Sequence, residues 1–287
     1  MMTWGANAVA SRMAVGEVSP MAMTCLRWVI VVALLGATTG RRVLAEAGAL
    51  RSRWRSLALM GALGYTGFNA LFYAAAHSTT AVNIGVIQGV MPVLVLLGSY
   101  AIFRTPVRPL QFIGAGVTIA GVAVMACRGD LDVLRTLAFN RGDVWMMVAS
   151  VLYAGYTVAL RDRPAVSPQT FFAAMAFSAF VTSVPLLGAE IALGQIVWPT
   201  PKGWVILVLV ALVPSFVSQL LFLRGVQLIG PGRAGLFINL IPVFAALGGV
   251  VVLGETFAPY HAAALALVLA GIGLAEWGRP DLEQPAA

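Results

Sequence analysis

Ten apolar segments follow one another along this chain, at 1–15, 21–39, 54–76, 80–103, 109–127, 142–160, 168–189, 203–223, 231–253 and 259–277. Most are near the roughly 20 residues that cross a hydrocarbon core of about 30 Å as a helix. The gaps between them are short. The longest, at 41–55 and 128–141, carry no hydrophobic pattern of a separate domain. Because lipid offers no partner for an unpaired backbone group, such a chain has few ways to fold. The fold predicted is an all-α integral membrane protein with ten transmembrane helices. The first segment is the weakest, since 1–15 rises only about 22 Å as a helix and contains Asn7, Ser11 and Arg12.

Composition excludes the soluble alternative: 60% of residues are hydrophobic and 10% charged, with a mean hydropathy of +0.91. The net charge of +7 does not indicate a nucleic-acid partner. Its arginines sit in the gaps between apolar runs, without a basic stripe interleaved with stacking aromatics. Cys25 and Cys127 lie inside or at the edge of apolar segments and read as small core residues. No basic n-region followed by an apolar stretch and a small-residue cleavage site opens the chain, so the spans themselves are expected to carry the targeting.

Cytoplasmic loops retain Lys and Arg. With Met1 placed inside, the inner gaps hold Arg41, Arg42, Arg51, Arg53, Arg55, Arg104, Arg108, Arg161, Arg163, Arg224, Arg233 and Arg279. The outer gaps hold Arg128, Arg135, Arg141 and Lys202. Both termini are therefore expected in the cytoplasm, with the chain in the cell (inner) membrane.

The chain also repeats itself. Adding 150 to positions between Asn69 and Gly121 pairs Phe72 with Phe222, Gly85 with Gly235, Pro92 with Pro242, Gly98 with Gly248, Pro109 with Pro259 and Gly121 with Gly271. A weaker echo sets Val18-Ser19-Pro20 against Val166-Ser167-Pro168. Five spans per unit is an odd number, so the two units are expected to enter the membrane from opposite sides. The organisation expected is a first repeat at 1–127, a connecting loop at 128–141, a second repeat at 142–279 and a cytoplasmic tail at 280–287. Inverted repeats of this kind build alternating-access carriers, with the solute site near the midplane and Pro or Gly breaking helices at corresponding places. Pro92 and Pro242 are the candidate helix breaks, unless they only kink helices for packing.

The run Trp4-Gly5-Ala6-Asn7, leading to Val18-Ser19-Pro20 and Arg27, together with Pro242 and Gly254-Glu255, resembles the EamA-type drug/metabolite transporters. The resemblance covers nearly the whole chain. It implies two five-helix repeats and transport of a small-molecule solute, with members handling amino acids, other metabolites or drugs. Two departures from the family pattern stand out: the apolar residues usually found ahead of the Trp-Gly pair are absent, and Arg104-Thr105 occupies the place of Gly254-Glu255 in the first repeat.

Polar side chains at mid-span depth face the interior of a bundle. On the third span Tyr65, Asn69 and Tyr73 recur every four residues along one face, and the repeat sets Ser215 and Gln219 against Tyr65 and Asn69. Trp4, Asn7 and Ser11 share a face of the first span, as Tyr153, Tyr156 and Thr157 do on the sixth. Gln88 and Asn239 lie beside the paired prolines. The candidate solute-binding set is Trp4, Asn7, Tyr65, Asn69, Tyr73, Gln88, Tyr153, Tyr156, Ser215, Gln219 and Asn239, each of which could instead serve as an interhelical hydrogen bond of about 1 kcal/mol. Arg27, about 10 Å along its helix from Pro20, could pair with an anionic group on the solute, and could equally snorkel outward or anchor helix packing. Glu190 and Glu255 end their spans and read as interfacial. His77 and His261 have no ligand partner one turn away, so neither metal nor cofactor is expected.

The function expected is an exporter of a small organic metabolite such as an amino acid, working by alternating access in the lipid bilayer as a monomer or homodimer. A multidrug efflux carrier is the alternative within the class. A polytopic enzyme acting on lipid is the alternative outside it, and the sequence offers that reading neither H-E-x-x-H, nor G-x-S-x-G, nor a phosphate-cradling glycine loop.

Overall fold

The computed structural model describes residues 1–104, 107–127, 130, 140–229, 237–238 and 240–277. Among these the chain is all helical, without strands. The helices are α1 (Met2–Met13), α2 (Pro20–Ala45), α3 (Trp54–Ala76), α4 (Ala81–Phe103), α5 (Pro109–Ala126), α6 (Arg141–Asp162), α7 (Pro168–Ala192), α8 (Pro201–Gly225), α9 (Ile241–Leu253) and α10 (Pro259–Trp277). Eight of them are long and apolar enough to cross a membrane; α1 and α9 are the shorter two. The short helix Ala47–Ser52 links α2 to α3. Arg41 and Arg42, read as lying in a gap, fall on the last turns of α2.

Helix starts follow from local chemistry. Pro at the first helical position costs no hydrogen bond, and a Ser or Thr hydroxyl before it accepts an orphan N–H. Ser167 before Pro168 accepts from Thr170 N at 3.3 Å, and Thr200 before Pro201 accepts from Gly203 N at 3.0 Å. The start of α2 is capped from a distance. Glu190, near the end of α7, accepts from Ser19 Oγ at 2.5 Å and from the backbone N–H groups of Met21 and Ala22 at 3.2 and 3.1 Å. Glu46, just past the end of α2, accepts from Ser167 N at 2.9 Å and Ser167 Oγ at 3.2 Å at the start of α7. Each of these two antiparallel helices therefore ends in a carboxylate set against the partly positive N-terminus of the other. The Glu190 side chain is buried at this helix end. The Ser167 N–H holds the Glu46 carboxyl below the usual carboxylate range, and Thr200 followed by Lys202 does the same for Glu17.

Packing respects the 150-residue register. α5 runs along α10, α2 along α7, and the first part of α4 against α9, so helices pair with the element five places on. α1 lies on α9 as α6 lies on the second part of α4. Small residues bring the backbones together where α5 meets α10: a Cβ on Gly114 would strike Gly271 O, and one on Gly271 would strike Gly114 O.

Local irregularities repeat as well. A π-helical turn spans Gly61–Gly67 in α3 and another spans Ala211–Val217 in α8. In α4 a turn at Gly89 and Val90 separates Ala81–Gln88 from Met91–Phe103, whose bounds shifted by 150 are those of α9. Arg104 and Gly254, also 150 apart, end their helices in the left-handed region at φ 53° and 65°.

Candidate functional site

The broken middles of α3, α4 and α8 and the facing parts of α1, α2, α6 and α9 enclose a cavity of about 300 Å³. Its polar centre is Arg27, on the buried face of α2 and only 7% exposed. Nε donates to Ser215 Oγ at 2.6 Å, and Nη1 donates to Asn69 Oδ1 at 2.6 Å and to Tyr73 OH at 2.5 Å. The guanidinium carbon lies 5.1 Å from the centre of the Trp28 ring and 5.9 Å from that of Tyr73. The cation thus rests on neutral oxygens and aromatic faces. This geometry rules out the outward snorkel of Arg27 and fits both a helix-packing anchor and the partner of an anionic group.

Both π-helical turns serve that arrangement. Pro214 has no N–H to give to Val210 O, and the Ser215 hydroxyl takes its place, donating to Val210 O at 2.6 Å. With its hydrogen so committed, Ser215 Oγ presents lone pairs to Arg27 Nε. In α3, Asn69 Nδ2 donates to Tyr65 O at 2.6 Å, which turns Oδ1 toward Arg27. The Arg27 side chain therefore joins α3 of the first half to α8 of the second. Trp4 adds another bond across the halves, with Nε1 donating to Pro214 O at 2.7 Å.

Around Arg27 the wall is aromatic. Trp28 stacks on Tyr65 at 5.0 Å, Tyr65 meets Tyr156 edge-on at 5.4 Å, and Tyr153 meets Phe68 at 5.1 Å. Of the residues singled out from the sequence, Trp4, Asn7, Arg27, Tyr65, Asn69, Gln88, Tyr153, Ser215 and Gln219 line the cavity, as do Pro92 and Pro242. Tyr73 and Tyr156 stand behind that lining, the first bonded to Arg27 and the second packed on Tyr65. Asn239 lies outside the described residues. Pro92 has no N–H for the carbonyl of Gln88, which leaves that group without its helical donor at the cavity wall.

Three side-chain atoms on this wall are buried without a hydrogen-bond partner among the described residues: Asn7 Oδ1, Trp28 Nε1 and Gln88 Nε2. Sequence reasoning missed Trp28, Phe68, Phe72, Phe172 and Glu276, all of which line the cavity. The aromatic four gave no signal, because an aromatic residue in an apolar run looks the same whether it faces lipid or a cavity. Glu276 ends α10, where a charged residue is ordinary. Among the described residues no group of three or more His, Cys, Asp or Glu side chains is placed to hold a metal ion.

The profile of the EamA-like transporter family matches residues 1–127 and 140–276. Uncharacterized transporter YyaM of Bacillus subtilis (strain 168) is 26% identical over 199 residues, which is 68% of this chain and 64% of that protein. Uncharacterized transporter YetK of the same organism is 23% identical over 195 residues, 68% of this chain and 59% of that protein. The matched stretch spans about three fifths of the length of these relatives. A solved crystal structure superposes with a TM-score of 0.66 at 22% identity, covering 95% of this chain and 93% of the other, a likeness of fold.

Proposed function

The chain belongs to the EamA-like transporter family, and from that premise we propose that it exports a small organic metabolite, such as an amino acid or a related solute, by alternating access. The observation that carries this reading is the cavity, to which both repeats contribute at matching positions: Tyr65 and Ser215, Asn69 and Gln219, Pro92 and Pro242. A carrier needs a polar site near the midplane, bounded by two units that can tilt against each other, with irregular backbone only where it faces the site. The two π-helical turns and the break in α4 supply that irregular backbone.

In this reading all ten helices span the bilayer of the cell (inner) membrane, as two inverted five-helix repeats at 1–127 and 142–279. The Arg-rich gaps and both termini face the cytoplasm. The solute occupies the space beside Arg27, and closure of one end of the bundle accompanies opening of the other. One chain contains a complete cavity, so a monomer suffices, and a homodimer would hold one cavity per subunit.

The test compares solute levels in medium and cytoplasm between cells lacking and cells overproducing the protein. The expected result is a named small organic solute that moves outward with overproduction and accumulates inside in its absence. If no solute shifts, or one shifts inward, the exporter reading is wrong.

A further inference from the structure

Resting on that transport reading, we propose that the cavity recognises its solute by a carboxylate or equivalent anionic group, held by Arg27, and that it rejects organic cations. A guanidinium has five N–H donors and stays protonated under all ordinary conditions. Three are used, by Ser215, Asn69 and Tyr73. The third nitrogen, Nη2, has no acceptor among the described residues, so its two N–H groups remain for a ligand. Nearby, Trp28 Nε1 and Gln88 Nε2 are two more donors without a partner, against one unpartnered acceptor, Asn7 Oδ1.

Charge points the same way. Removing a cation from water is costly unless an anion joins it, and structural arginines in protein interiors are held by carboxylates for that reason. No carboxylate lies within ion-pair distance of Arg27 among the described residues. Glu276 lines the same cavity from the last turn of α10. Oriented neutral dipoles and aromatic faces keep Arg27 in place while leaving its net charge uncancelled. A carboxylate brought by the solute completes the pair with a geometry that a guanidinium fits best. The rest of the wall, including Phe68, Phe72, Met91 and Phe172, offers apolar surface for an uncharged body.

The probes are two molecules with one body and opposite charge, 3-phenylpropanoate and 2-phenylethylamine. Each is titrated at neutral pH into the full-length protein in detergent micelles, with Trp28 and Trp4 as intrinsic fluorescence reporters and thermal stabilisation as a second readout. The expected result is saturable binding of the anion and at least about tenfold weaker binding of the cation, since a hydrogen bond to a charged group is lost. Arg27→Gln is expected to cost at least about tenfold in affinity for the anion, and Arg27→Lys to keep the preference for anion over cation. Equal or tighter binding of the amine, no saturable binding of 3-phenylpropanoate at millimolar concentration, or an anion affinity unchanged in a folded Arg27→Gln variant would each overturn the proposal. Should Arg27→Gln not fold, the preference of the unaltered protein decides. Proteoliposome flux separates the two levels of inference. An anion that binds but does not cross leaves the recognition standing and removes the transport reading, whereas flux of the amine alone removes the recognition and leaves transport standing.

Discussion

The π-helical turns at Gly61–Gly67 and Ala211–Val217 occupy the same register of the two repeats and are produced by opposite chemistry. In α3 the turn is made by absence of side chains. Gly61, Gly64 and Gly67 let Ser178 of α7 and Tyr156 and Leu152 of α6 press against bare backbone. In α8 it is made by absence of a donor, because Pro214 cannot bond Val210 O and the Ser215 hydroxyl fills in at 2.6 Å. Both turns aim a polar side chain at Arg27, Asn69 from one and Ser215 from the other. The repeat has kept the shape of the backbone and let the means of producing it drift. The first turn depends on neighbours fitting closely, the second on bonds within its own helix.

That difference predicts unequal tolerance. Gly64→Val puts a branched side chain where the Tyr156 ring lies, and overpacking of this kind costs about 3 kcal/mol. Pro214→Ala returns an N–H to α8, which the helix can use, and the Trp4 bond to the carbonyl of residue 214 survives. Its stability is expected to stay within about 1 kcal/mol of the unaltered protein, while transport falls as the Ser215 hydroxyl is freed to turn away from Arg27. Thermal denaturation followed by size-exclusion chromatography in detergent checks the pair. If Gly64→Val proves as stable as Pro214→Ala, the two turns do not differ in the way described.

Asn69 and Gln219 sharpen the contrast at the level of single side chains. They are repeat partners on the same cavity, but Asn69 bonds both Tyr65 O and Arg27, whereas Gln219 makes no side-chain hydrogen bond among the described residues. Asn69→Leu leaves an Arg27 N–H unsatisfied and is expected to cost about 1–2 kcal/mol of stability as well as roughly tenfold in apparent affinity for solute. Gln219→Leu is expected to cost about two- to threefold in affinity and nothing in stability. Equal stability losses at both positions would mean that Gln219 is bonded as Asn69 is.

Much of this was readable beforehand, because the information was periodic. Apolar runs of membrane length gave the helices, and the Pro and Gly pairs at a spacing of 150 gave the register that α4, α9, α5 and α10 obey. Facing positions every four residues brought Tyr65, Asn69, Ser215 and Gln219 to one cavity. What escaped was pairing across long stretches of sequence. Nothing local says that Glu190 caps α2 across 171 residues, that Glu46 meets Ser167 across 121, or that Ser215 meets Arg27 across 188. Pro214 was visible, but whether a proline in an apolar run kinks, stops or widens a helix depends on what takes up the freed carbonyl, and here that is the next residue.

The smallest expected effect concerns the helix ends at Arg104 and Gly254, where the sequences of the repeats depart but the backbones do not. Both residues are exposed and left-handed, at φ 53° and 65°, and each N–H bonds a carbonyl four residues back, Tyr100 O at 3.0 Å and Val250 O at 3.1 Å. Glycine adopts this conformation without a Cβ meeting the following carbonyl, while any other L-residue is strained by about 1 kcal/mol or slightly more. Arg104→Gly removes that strain but also loosens the unfolded chain, which returns part of the gain. The net expectation is a stabilisation of about 0.5 kcal/mol, near 1–2 °C in melting temperature for a protein of this size, with transport unchanged because Arg104 does not line the cavity. Gly254→Arg should do the reverse by a similar amount. Opposite signs at these two sites would show that the left-handed turn is demanded by the repeat and only tolerated by its first copy. A destabilised Arg104→Gly would instead mean that the arginine side chain holds the end of α4 through contacts that outweigh its backbone strain.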